Sequence, residues 1–328
     1  MPTQPMIPAT SPVLPAVPPA LSMNGRLWAL LAVLGLLWGG SFFFTQIVVR
    51  EIPPLTLVAL RVGIAALALL AFLALRRIPL GPLRQRAGAF LLLGLLNNAI
   101  PFLLLAIGQK TVGAGLASIL NATTPLWTIL VAALATSDER LSGRKLAGIL
   151  LGILGVAILV GPEAFGAGHL APLPALAALL GATFSYALAG VFARRFRGVP
   201  PAVVATGQLC GSSLIVIPLP LLLGAGPGLG GLGLGAMTPA GIMAMLALAL
   251  VSTAFAYILY FEVVARAGAT NASLVTFLVP ASAILLGILF LGETLTAREI
   301  LGFSAILAGL AAIDGRVARG VAKAWGSR

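Results

Sequence analysis

Apolar residues in this chain come in runs of about twenty, divided by short segments that hold nearly all of its charge. A bilayer core about 30 Å thick needs roughly 20 apolar residues per helix at a rise of about 1.5 Å, so each run is long enough to cross. Ten spans are predicted, at 27–49, 55–75, 87–108, 113–136, 146–161, 171–193, 201–223, 237–261, 269–291 and 298–315. The predicted fold class is an all-α polytopic membrane protein. Composition agrees: of 328 residues 60% are hydrophobic and 9% charged, with a mean hydropathy of +1.11. A soluble domain carries about a quarter charged residues, so that class is excluded.

The net charge of +12 could suggest nucleic acid, but its distribution points elsewhere. Ten spans put the N-terminus, the even-numbered loops and the C-terminus on one side. That side holds 16 of the 20 Lys and Arg residues, in clusters such as Arg76, Arg77, Arg84 and Arg86. The other side holds Arg50, Lys110 and Arg298, and Arg61 lies within a span. The positive-inside rule then puts both termini in the cytoplasm of a multi-pass protein of the cell (inner) membrane. The lipid bilayer is the expected partner and nucleic acid is not. Residues 1–26 form a Pro-rich tail expected to be disordered, and 316–328 a basic cytoplasmic tail.

Cys210 is the single cysteine and His169 the single histidine, which leaves no disulfide, no Cys/His zinc site and no Ser–His–Asp triad. No cofactor is expected. The glycine-rich segment 224–237 lacks the Gly-Lys-Ser/Thr of a phosphate loop and is read as a connector.

The two halves repeat. At an offset of 155, Gly113, Ala114, Ala117, Ser118, Pro125, Ile129, Leu130 and Leu134 meet identical residues in 268–289. After a one-residue gap, Glu139, Leu141, Arg144, Gly148, Gly155 and Ala157 meet Glu293, Leu295, Arg298, Gly302, Gly309 and Ala311. Each half, 27–161 and 171–315, holds five predicted spans. Five is odd, so the halves cross the membrane in opposite senses. Inverted repeats mark secondary transporters, with substrate near the midplane between them.

With WGGSFFF at 38–44, Arg61 before an apolar run, and two copies of Ala-Ser…Pro…Glu-x-Leu…Arg…Gly…Gly, the chain resembles the EamA type of the drug/metabolite transporter superfamily across residues 27–315. That resemblance implies ten helices and a small-molecule substrate. Its nearest branch is the exporters of amino acids, including aromatic ones. It also implies that helices 5 and 10 are peripheral and support a homodimer.

Polar side chains are costly in lipid and usually face the bundle interior. Asn97 and Asn98 in span 3 correspond to Ser252 and Thr253 in span 8, and Ser118 and Asn121 in span 4 to Ser273 and Thr276 in span 9. Trp38, Ser41 and Thr45 share one face of span 1, and Tyr186, Tyr257 and Tyr260 sit in spans 6 and 8. The expected substrate-binding set is Trp38, Ser41, Asn97, Asn98, Asn121, Tyr186, Ser252, Tyr257, Tyr260 and Thr276. Pro125 and Pro280 are expected to kink or gate their helices, since each removes a backbone hydrogen bond. Arg61, whose repeat mate is Gln208, has two readings: an anion-binding guanidinium, or a structural one that snorkels or caps carbonyls. Glycines in spans 5 and 10 mark scaffold helices.

The acidic residues Glu51, Glu163, Glu262 and Glu293 lie at span ends, which disfavours an aspartyl protease and a lipid transferase alike. The function read from the sequence is a facilitative carrier or exporter of small metabolites, foremost neutral or aromatic amino acids. A carrier for a different metabolite or drug, with proton coupling or exchange, is the alternative, and a membrane-embedded lipid transferase the remote one.

Overall fold

A computed structural model of the chain describes residues 24–135, 142–161, 172–223, 235, 237–267, 269–272 and 274–314. The predictions for the Pro-rich tail before residue 24, for Glu139, Glu163, His169 and Ser273, for most of the glycine-rich connector and for the basic C-terminal tail lie outside the described residues.

The described chain is helical. Eight helices are long and apolar enough to cross a membrane: α1 (Gly25–Val48), α2 (Pro54–Leu75), α3 (Ala87–Gln109), α4 (Ala114–Ala135), α5 (Gly143–Val160), α6 (Pro172–Ala193), α7 (Pro201–Leu223) and α8 (Pro239–Val264). A ninth, α9 (Val275–Leu291), is apolar but only 17 residues long. The 18-residue α10 (Ala297–Asp314) follows, with Arg298 and Glu299 in its first turn. Local chemistry sets the starts. The side chain of Asn24 accepts from Leu27 N at 3.0 Å ahead of α1, and Thr238 accepts from Gly241 N at 3.0 Å ahead of α8. Pro54 and Pro201 each occupy a first helical position, where a missing N–H costs nothing.

Two predicted spans are interrupted. α4 breaks at Ala122–Thr123, between Ala114–Asn121 and Thr124–Ala135. Pro125 has no N–H to give Asn121, and the Thr124 hydroxyl donates to that carbonyl instead, at 2.7 Å. Span 9 begins as a single turn, Ala269–Ala272, and resumes at Val275. There Pro280 lies inside a continuous helix. The matched prolines therefore act differently: Pro125 starts a helical segment and Pro280 is carried within one.

Packing follows the repeat. Exchanging the halves turns α1–α9 into α6–α4, α3–α7 into α8–α2, and α3–α6 into α8–α1, and all six pairs are in contact. The pairs α2–α7, α4–α9 and α5–α10 map onto themselves and are also in contact. Both α3 and α8 widen into π-helix at matched places, Leu95–Ala99 and Ala247–Phe255. Such bulges are rare and concentrate at functional sites.

Small residues permit the close crossings. A Cβ on Gly148 would meet the Gly309 carbonyl at 2.6 Å and one on Gly155 the Gly302 carbonyl at 2.6 Å, so the glycine stripes of α5 and α10 face each other within one chain. Their outer surface is aliphatic, through Leu150, Leu154 and Leu301. α9 closes on α1 where Ser282 Oγ donates to the Gly35 carbonyl at 2.7 Å, with Gly39 beneath it. α3 closes on α7 at Gly94 and Gly211, where a Cβ would strike the partner's backbone.

Candidate functional site

The repeat sets polar groups of one half against the other half in the centre of the bundle. Arg61 of α2 is 6% exposed, and its Nε donates to Thr253 Oγ1 of α8 at 3.0 Å. Thr253 can accept because its own hydroxyl proton goes to the Leu248 carbonyl, five residues back, at 2.7 Å. The π-helical turn thus aims one lone pair at the guanidinium. The ring of Phe102 of α3 lies beneath Arg61, with Cζ 3.6 Å from the ring centroid. This cation–π stack fixes the plane of the fork.

Beside it, Asn97 Nδ2 of α3 donates to Gln208 Oε1 of α7 at 2.8 Å and to the Tyr257 hydroxyl of α8 at 3.5 Å. Tyr257 also meets Trp38 of α1 edge-on, at 6.5 Å between centroids, and Trp38 lies tilted over Tyr260 at 5.3 Å. Tyr186 of α6 packs against both principal apolar cores and stands, with Tyr257, within electrostatic range of Arg61. The result is a half-buried aromatic wall next to a buried cation and an amide pair, drawn from six helices and both repeats.

Among the predicted residues, Trp38, Arg61, Asn97, Tyr186, Tyr257 and Tyr260 come together. Others do not join them. Asn98 is 0% exposed and neither of its polar atoms has a hydrogen bond. Ser252, which faces Gly40 of α1, is likewise buried with an unpartnered hydroxyl. Asn121 lies at the end of the first α4 segment with Oδ1 unpartnered, and Ser41 and Thr276 are half-buried. Ser118 spends its hydroxyl on the Gly115 carbonyl of its own helix at 2.7 Å. Thr253 and Gln208 matter more than their bare repeat positions suggested, and Phe102 went unread. Gln46 and Gln109 were missed as well. They clamp α1 to α3, with Gln109 Nε2 donating to the Phe42 carbonyl at 2.8 Å and Gln46 Nε2 to the Gln109 carbonyl at 3.0 Å. Two glutamines near the ends of apolar spans were the available signal.

One end of the bundle carries two carboxylate latches between the halves. Gly292, at φ +67°, turns the chain out of α9 so that Glu293 N reaches the Gly287 carbonyl. The Glu293 carboxylate then accepts from Ala114 N at 2.7 Å and Gly115 N at 2.9 Å, capping α4 across the repeat boundary. Glycines make the room: a Cβ on Gly113 would sit 2.6 Å from that carboxylate. The second latch runs the other way. Glu51, after α1, accepts from Thr238 N at 2.9 Å and from its hydroxyl at 2.7 Å, at the head of α8. Chain connectivity puts both latches at the same end. Across the opposite end runs an exposed bond from Arg86 Nη1 to the Arg195 carbonyl, at 3.0 Å.

The EamA-like transporter family model matches the chain twice, over residues 23–161 and 173–313. A probable amino-acid metabolite efflux pump of Escherichia coli (strain K12) is 30% identical over 293 residues, 88% of this chain and 94% of the pump. The uncharacterised inner membrane transporter YedA of the same strain is 28% identical, over 88% of this chain and 89% of its own length. The uncharacterised transporter YoaV of Bacillus subtilis (strain 168) is 25% identical, over 84% and 92%. A crystal structure of another protein aligns with a TM-score of 0.63 at 20% identity, covering 89% of this chain and 98% of that one, so the fold is shared.

Proposed function

The chain belongs to the EamA-like transporter family, and on that premise we propose that it is a facilitative carrier or exporter of neutral, foremost aromatic, amino acids. The carrying observation is the cluster of Arg61, Thr253, Asn97, Gln208, Tyr257, Trp38 and Tyr260. It joins the inverted halves with a cation, amide groups and aromatic faces together, which suits a small amphipathic zwitterion. Transport proceeds by alternating access, with α1–α4 and α6–α9 rocking about that cluster while α5 and α10 hold the frame. The efflux-pump relative supports export of an amino-acid metabolite as the physiological direction.

The asymmetric distribution of Lys and Arg supports a multi-pass orientation in the inner membrane with both termini cytoplasmic. The latched end of the bundle is then the outer one, and the conformation is closed to the outside. A homodimer would meet through the aliphatic outer faces of α5 and α10, because their glycine faces are already joined within the chain.

Uptake of labelled phenylalanine into liposomes carrying Tyr257→Ala or Asn97→Ala tests the reading. Both variants lose saturable uptake at normal expression and monodispersity. Wild-type kinetics in both would overturn the site.

A further inference from the structure

Arg61 is placed for a ligand that the described residues do not supply. Its charge lies a third of the way along α2, 6% exposed, yet no carboxylate faces it among the described residues. The four described glutamates are engaged elsewhere. Glu51 holds Thr238, Glu293 holds the head of α4, Glu299 caps Thr296, and Glu262 pairs with Arg266 at 2.6 Å. Of the guanidinium's N–H donors only Nε has a hydrogen-bond partner among the described residues. Snorkelling would have left the head exposed, and carbonyl capping would have engaged the terminal nitrogens; neither is seen. Thr253 and Phe102 orient the group without neutralising it, since one offers a hydroxyl and the other a ring face. A buried cation without a counter-charge is costly, and a planar fork with two unengaged amino groups matches a carboxylate bidentately.

We infer that Arg61 receives the carboxylate of the transported solute through its two terminal amino groups, so that the site selects carboxylates and rejects amines and amides of the same shape. This rests on reading the central cluster as the solute site, and deepens it. With the acid group on Arg61, the solute's apolar part lies along Trp38, Tyr257 and Tyr260. Asn97 and Gln208 have carbonyl oxygens in the same cluster to receive an α-ammonium. Positive charge at the centre excludes organic cations, which separates this chain from carriers of cationic drugs.

The test uses the purified full chain in detergent and follows its thermal unfolding midpoint with L-phenylalanine, 3-phenylpropanoate, L-phenylalaninamide, 2-phenylethylamine or sodium chloride. The two carboxylates are expected to raise the midpoint saturably, at concentrations at least about tenfold below any effect of the amide or amine, as a charge-assisted bond predicts. Arg61→Gln abolishes the carboxylate effect. Arg61→Lys, which keeps the charge and loses the fork, retains a weaker one at higher concentration, which guards against a variant that merely fails to fold. Equal stabilisation by amide or amine, stabilisation by chloride alone, no response to either carboxylate, or an undiminished response in folded Arg61→Gln would each overturn the inference. The transport reading fails separately: carboxylate binding with no uptake into liposomes leaves the anion site standing, and uptake indifferent to the carboxylate leaves the carrier standing without it.

Discussion

Replacing Glu293 with glutamine should open the latched end of the bundle. The carboxylate accepts from two backbone N–H groups, of Ala114 at 2.7 Å and of Gly115 at 2.9 Å, at the head of α4. A hydrogen bond to a charged group is worth about 1.5–3 kcal/mol net, and a negative charge at a helix N-terminus a further 0.3–1 kcal/mol or so. Glutamine keeps one acceptor oxygen but turns an NH2 toward the second N–H. At the low end of those ranges, which suits part-buried bonds, two charged bonds and the dipole term are lost and one neutral bond of about 1 kcal/mol remains, a net loss of about 2 kcal/mol. If the latch is made only in the state closed at that end, the balance between states moves about 30-fold toward opening. The readout is a cysteine at Ser118, one turn inside the latch on α4 and 0% exposed, with Cys210 replaced by serine. An impermeant maleimide added from the latched side should label Glu293→Gln about ten to thirty times faster than the parent. An unchanged rate would refute the reasoning. So would an equal rise in Glu299→Gln, whose carboxylate caps Thr296 of its own chain turn and joins no halves.

Other substitutions probe other links. Asn98→Leu should raise the unfolding midpoint, because both polar atoms of that buried amide are unsatisfied and such a group costs about 1–3 kcal/mol; a loss of stability in a denaturation series would contradict this. Gly211→Leu should abolish folded protein by size-exclusion, since even a Cβ there strikes Phe90 backbone, whereas Gly198→Leu, which meets no neighbouring atom within 4 Å, should cost only its left-handed backbone strain. Cys210 faces an apolar groove of about 430 Å³ between α2 and α7, lined by Ala66, Leu70 and Leu214, so it should react with a lipophilic maleimide far faster than with a charged one; equal rates would put water in that groove.

How much of this was legible in the sequence follows from what a membrane hides. Span positions were readable because twenty apolar residues in a row have few alternatives, and the repeat was readable because Pro, Ser, Glu and Arg recur in one register. The inward face of each helix was not. Lipid is as apolar as a core, so the helices are hydrophobic on every side and periodicity does not distinguish Leu57, fully buried, from Leu67, 69% exposed. Polar residues were the remaining guide, and they led to Asn97, Arg61 and Tyr257, which meet in the central cluster. They could not show that Arg61 would meet Thr253 rather than its own repeat mate Gln208, because the choice depends on π-helical widening in α8 and on Phe102 arriving from α3. Nor could they show that adjacent asparagines would part ways, Asn97 into the cluster and Asn98 into an unpaired pocket.

Counterflow in liposomes tests the central claim most directly. Vesicles loaded with unlabelled phenylalanine are diluted into trace labelled phenylalanine, leucine, glutamate or glucose, with no ion gradient. Alternating access predicts transient accumulation of labelled phenylalanine and leucine above equilibrium, lost in Tyr257→Ala. Simple equilibration without overshoot, or the same overshoot in Tyr257→Ala, would contradict it.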